Sequence, residues 1–129
     1  ALANLVKESI PAATRRSGGN PAKRTFQALR IYVNNEMDVL ERAIPESLQL
    51  LALHGRMVVL SYHSLEDRLV KKAFADVSAT EVLPGLPVEP RPAPYELLTR
   101  SSEGASDQEI ADNPRAQSVR IRAIERKAA

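Results

Sequence analysis

Four consecutive apolar residues, Met57, Val58, Val59 and Leu60, follow Gly55-Arg56 and run almost directly into a new helical pattern at Ser64. A bilayer-spanning helix needs about 20 apolar residues, so this run is too short to cross, but it suits a strand buried on both faces. Upstream, Phe26, Leu29, Val33, Met37, Leu40 and Ile44 step by three or four residues and predict one long helix with a single apolar stripe. Ile44-Pro45 ends that pattern, and Pro45 is placed to open a short helix anchored by Leu48, Leu51 and Ala52 and closed by His54-Gly55. Downstream, Leu65, Leu69, Ala73 and Phe74 form the next stripe, with Ser64 and Asp67 spaced three apart as a capping pair. Helix, turn, strand and helix in this order predict an α/β fold built on a parallel-sheet crossover.

The remainder of the chain is punctuated by proline and asparagine. Leu2, Leu5, Val6 and Ile10 have helical spacing that Pro11 stops, and residues 15–20 read as a basic, flexible connector. Asn20-Pro21 offers an N-cap and first position for the long helix, with Thr25 a later alternative. Between residues 80 and 94 stand Pro84, Pro87, Pro90, Pro92 and Pro94, five of the nine prolines, which predicts a stiff, exposed, extended loop. Residues 95–99 suit a short strand, and Ser106 with Glu109 forms a capping box over one or two helical turns that Asn113-Pro114 stops. Val119, Ile121 and Ala123 then alternate with Arg120 and Arg122 as a half-exposed strand does.

With 129 residues the chain supports one core. It has no cysteine and only two histidines, His54 and His63, which speaks against a disulfide framework, a thiol nucleophile and a metal centre. The expected compartment is the reducing cytoplasm. Net charge is +2, but residues 1–30 hold six cations against Glu8 and residues 114–129 hold five against Glu125, so both ends suit phosphate. Neither common glycine-rich phosphate loop can be spelled with the five glycines.

Two stretches carry candidate chemistry. Ser61, His63 and Ser64 lie where a strand's C-terminal end meets a helix, the side on which open α/β sheets bind ligands. A hydrolase is excluded there, because a nucleophile elbow needs G-x-S-x-G and triad residues meet in space rather than side by side. The alternative is a turn fixed by His63 and capped by Ser64 and Asp67. Near the start of the long helix, Lys23, Arg24, Gln27 and Arg30 are placed to meet a phosphate-bearing ligand, as is Arg68 after the strand, with ordinary solvent exposure as the alternative. Phe26 is expected in the core.

Residues 21–34 (PAKRTFQALRIYVN), residues 61–68 (SYHSLEDR) and Asn113-Pro114-Arg115-Ala116 with Ser118 and Arg122 together resemble the MraW family of small-subunit ribosomal RNA methyltransferases. Asn20 stands where that family usually has histidine, and Gln117 where it often has arginine. The resemblance implies the C-terminal part of a class I, Rossmann-like, S-adenosylmethionine-dependent methyltransferase, with parallel strands and a terminal antiparallel hairpin. Residues 1–20 would be the tail of an inserted helical domain and its linker, and residues 21–129 the C-terminal half of the methyltransferase domain. Ala1 in place of a methionine fits an internal start. The implied reaction is methylation of cytosine N4 in small-subunit (16S) ribosomal RNA; given that reaction, position alone puts Ser61, His63 and Ser64 toward the substrate base and Lys23, Arg24, Gln27, Arg30 and Arg68 toward the RNA backbone. The cofactor, S-adenosylmethionine, would be bound mainly by upstream residues, so the isolated fragment is expected to be inactive. The implied partners are small-subunit ribosomal RNA and the small ribosomal subunit, with no role at DNA or membrane. The oligomeric state is left open. A non-catalytic RNA-binding or ribosome-assembly module derived from the same fold is the alternative.

Overall fold

The computed structural model describes residues 1–11, 20–80 and 92–128. Residues 15–19 of the expected connector and residues 81–91 of the expected proline-rich loop lie outside them. The chain divides into two compact units, Ala1–Met37 and Asp38–Ala129.

In the first unit, α1 (Leu2–Ser9) ends at Ile10, whose extended backbone precedes Pro11 as the proline ring requires. Asn20 starts the next helix: its Oδ1 accepts from the Ala22 N–H at 3.0 Å and its carbonyl from the Lys23 N–H at 3.0 Å. The resulting α2 (Lys23–Asn34) is shorter than the stripe predicted. Asn35 adopts a left-handed conformation (φ 53°) and its N–H turns back to the carbonyls of Ile31 and Tyr32, so one predicted helix becomes two. Asparagine tolerates that region better than most residues, which makes it a natural stop.

The second helix, α3 (Glu36–Gln49), runs through Pro45 instead of breaking there. Ile44 and Leu48 on either side of the proline are both fully buried, and their packing outweighs the lost hydrogen bond. The turn after α3 closes on His54 (φ 63°) and Gly55. A Cβ at Gly55 would lie 2.8 Å from the Ala52 carbonyl oxygen, so only glycine fits without a backbone shift.

The remaining elements are β1 (Arg56–Ser61), α4 (Ser64–Ser78), β2 (Tyr95–Leu97), α5 (Asp107–Asp112), a 3-10 turn (Pro114–Ser118) and β3 (Arg120–Arg126). Ser106 and Glu109 form the expected capping box. The sheet order is β1-β3-β2, with β3 antiparallel to both neighbours. The expected terminal antiparallel pairing is therefore present, whereas no two neighbouring strands among the described residues are parallel. The two strands that share a direction, β1 and β2, are held apart by β3, whose Ala123 and Ile124 are buried at the centre. The last strand is thus more enclosed than its alternating pattern suggested.

Ile44 and Leu48 of α3, Val70 and Phe74 of α4 and Ile124 of β3 make the core, with Met57, Val59 and Tyr95 packed against it. The Tyr95 hydroxyl donates to the Leu48 carbonyl at 2.8 Å, tying β2 to α3. On the other face of β1, Val58 and Leu60 are 56% and 51% exposed, which corrects the expectation of burial on both faces. Alternation along the strand sends Met57 and Val59 under the helices and Val58 and Leu60 away from them.

The sheet's end near Gly55 is held by charge. Arg56 Nε and Lys127 Nζ donate to the buried Glu125 carboxylate at 2.8 and 3.0 Å, and Lys127 also reaches Glu96 at 3.0 Å. Hydrogen bonds from Lys127 and Arg56 hold the Glu125 carboxyl at about 2 against an ordinary 4.5, in spite of its desolvation. A carboxyl depressed in the folded state adds stability that is whole above the unfolded value and is lost as pH falls from about 4.5 toward about 2. Melting curves across that acid window should slope steeply for the wild type and less for Glu125→Gln. Parallel curves for the two proteins would show that the carboxylate contributes nothing.

Candidate functional site

The joint between β1 and α4 places the first set of candidate residues. Strand alternation puts Ser61 on the helix-covered side, where it is 2% exposed at the strand's last position, opposite Arg120. His63 is extended (φ −148°, ψ 163°) and is the N-cap of α4. Its Nδ1 accepts from the Glu66 N–H at 3.4 Å. In return, Glu66 Oε2 accepts from the backbone N–H groups of Tyr62 and His63 at 2.7 and 3.1 Å. This reciprocal box moves the expected cap back by one residue: Ser64 is the first helical residue and is exposed, and Asp67 is engaged elsewhere. An imidazole nitrogen lies about as far from its backbone as an asparagine oxygen, so histidine can do what serine was expected to do.

Because Nδ1 accepts, a neutral His63 ring carries its proton on Nε2. That nitrogen sits 3.2 Å from Glu66 Oε1 but off the line a hydrogen bond needs. It is a buried side-chain nitrogen without a hydrogen-bond partner among the described residues. A donor withheld from water and without a hydrogen bond is costly to bury, which marks His63 as the strand-end side chain whose bonding the described residues leave incomplete. Beside it Tyr62 and Ser64 face solvent, and Arg68 is exposed on the next turn of α4.

Asp67 forms a two-point ion pair with Arg122 of β3: Nε to Oδ1 at 2.8 Å and a terminal guanidinium nitrogen to Oδ2 at 3.0 Å. The sequence placed Asp67 in a cap and Arg122 on a half-exposed strand. The signal that could have joined them is that each falls inside a stretch shared with the same family.

The second set of candidates lies in the first unit. Lys23 and Arg24 are exposed on the opening turn of α2, and Gln27 is half-buried one turn later. Arg30 is already paired with Glu36, Nε to Oε1 at 2.9 Å, so any phosphate must compete with that carboxylate. Phe26 is 47% exposed and part of an uncovered apolar stripe with Leu29 and Val33, contrary to its expected place in the core. The stripe has the right spacing for packing, but the described residues supply no layer over it.

The strand-end residues do not suit S-adenosylmethionine as its holder. Ribose hydroxyls call for a free carboxylate, and the two acids here are engaged, Glu66 with backbone N–H groups and Asp67 with Arg122. Metal-binding groups of three or more histidine, aspartate or glutamate side chains are absent among the described residues. Among them, no helix is long and apolar enough to cross a membrane.

The model of the MraW methylase family matches residues 1–127. A protein of Parafrankia sp. (strain EAN1pec), named Ribosomal RNA small subunit methyltransferase H, is 62% identical over 130 residues, covering 99% of this chain and 40% of its own length. Proteins of the same name from Frankia casuarinae and Thermobifida fusca are 60% and 58% identical, covering 98% and 97% of this chain and 40% and 38% of their own lengths. The chain therefore spans about 40% of the length of these relatives.

Proposed function

The chain belongs to the MraW methylase family, and from that premise we propose that it is the C-terminal part of an S-adenosylmethionine-dependent methyltransferase acting on cytosine N4 in small-subunit (16S) ribosomal RNA. The observation that carries this reading is the match over residues 1–127 together with relatives named for small-subunit ribosomal RNA methylation. Residues 1–20 would belong to the tail of an inserted helical domain and residues 21–129 to the methyltransferase domain. The cofactor would be held by a segment of the full-length protein upstream of Ala1, and it supplies the electrophilic methyl group.

The amine at cytosine N4 is a weak nucleophile because its lone pair is delocalised into the ring. Catalysis must hold the base so that this nitrogen faces the methyl in line, and must accept its proton as it becomes tetrahedral. In our proposal His63 Nε2–H donates to an acceptor on the base, and the Ser64 hydroxyl contributes a second polar contact from the helix's first turn. Ser61, being buried, shapes the strand end rather than touching the base. Lys23, Arg24, Gln27 and Arg68 would hold the RNA backbone, and Arg30 would join them by exchanging Glu36 for phosphate. The target cytosine must leave its stack, so a flexible region of ribosomal RNA is the preferred substrate.

The test uses the full-length protein, a methyl-labelled cofactor and small ribosomal subunits lacking the modification, followed by digestion and mass spectrometry of the nucleosides. N4-methylcytidine is the expected product, and residues 1–129 alone should give none. A different methylated nucleoside would overturn the N4 assignment, and no transfer by the full-length protein would overturn the enzymatic reading.

A further inference from the structure

The ion pair between Asp67 and Arg122 joins the start of α4 to the middle of the sheet. Its side chains are 21% and 11% exposed, far more enclosed than a surface pair. Replacing such a pair by apolar groups often leaves stability unchanged or improved, so its presence argues for placement more than for stability. The placement at issue is that of the strand-end joint. The His63 and Glu66 capping box is local, spanning residues 62–66, so it fixes how the helix begins but not where its first turn sits over the sheet. Val70 and Phe74 hold the helix farther along through apolar contacts, which are non-directional. A guanidinium gripping a carboxylate through two parallel N–H donors is directional, and it acts one residue beyond Glu66.

We propose that Arg122 and Asp67 are positioning residues: they clamp the first turn of α4 to β3 and so hold His63 and Ser64 at the angle the reaction needs. This rests on the functional reading above. In the full-length protein, Arg122→Lys keeps the charge but has one donor group in place of the fork. Its melting temperature should stay close to the wild type, with an unchanged KM for the cofactor and a kcat for small subunits lowered roughly ten- to a hundredfold. Asp67→Asn should lower kcat likewise. An Arg122→Lys protein with wild-type kcat per folded molecule would overturn the proposal, since a purely structural pair predicts that result. Amide hydrogen exchange supplies a readout that needs no activity. Exchange at Tyr62, His63 and Glu66 should quicken in Arg122→Lys while Val70 and Phe74 stay protected. Uniform protection would overturn the clamp even if the wild type transferred no methyl group, a result that would separately defeat the functional reading.

Discussion

Replacing Phe74 by alanine is expected to destabilise the second unit by about 3–5 kcal/mol. The ring is 1% exposed and packs in one cluster with Ile44, Leu48, Val70 and Ile124, so three helix and strand elements lose contacts together. The cost has two parts, the lost transfer of the ring out of water and the cavity left when neighbours on a rigid sheet cannot close in. Against a total stability of about 5–15 kcal/mol for a domain, this is a drop in melting temperature on the order of 10–20 °C. Phe74→Leu keeps most of the volume and should cost less than half as much. Leu50, 86% exposed, provides the control: Leu50→Ala should change stability by less than about 0.5 kcal/mol. A loss below about 1 kcal/mol for Phe74→Ala would mean that the helix-covered face of the sheet is not closely packed.

What the sequence made legible follows from the range of the forces involved. The capping box at Ser106 and Glu109, the stop at Asn113-Pro114 and the strand after Gly55-Arg56 depend on residues a few positions apart, and all three are present. The errors arose where two local preferences competed or where a distant partner decided. Asn35 split a continuous apolar stripe because one residue took a left-handed conformation, which periodicity does not register. Pro45 failed to break its helix because Ile44 and Leu48 are held by residues far along the chain. The cap went to His63 rather than Ser64 because a longer side chain served as well.

Strand order was beyond local pattern as well. A run such as Met57 to Leu60 says that a strand is apolar, not which strand lies beside it, and β3 is separated from β1 by more than a helix and a loop. The same distance hid the ion pair between Asp67 and Arg122, which spans 55 residues. Ser61, His63 and Ser64 were legible as neighbours, being consecutive or nearly so. Their different surroundings, one buried, one capping and one exposed, required the fold. The family resemblance covered these positions together, and membership in that family is where the sequence and the comparisons agree.

Those different surroundings set the second large effect, at His63. His63→Ala removes both the cap on α4 and the Nε2–H donor, so two losses are superposed. Loss of an N-cap costs about 1 kcal/mol of stability. Loss of a base contact that tightens in the transition state lowers the rate roughly ten- to a hundredfold, or about 1.4–2.7 kcal/mol. His63→Asn separates them, because asparagine is among the preferred cap residues but carries no donor at the imidazole's Nε2 position. In the full-length protein, the expected result is a lowered melting temperature for alanine, a nearly restored one for asparagine and a depressed rate of methyl transfer in both. If asparagine restored the rate together with the melting temperature, the cap alone would account for His63 and the base contact would be lost as a role. If both variants kept the wild-type rate below their melting temperatures, neither cap nor ring would take part in the reaction. The two measurements on the two variants thus divide the local stability of the strand-to-helix turn from the chemistry performed at its tip.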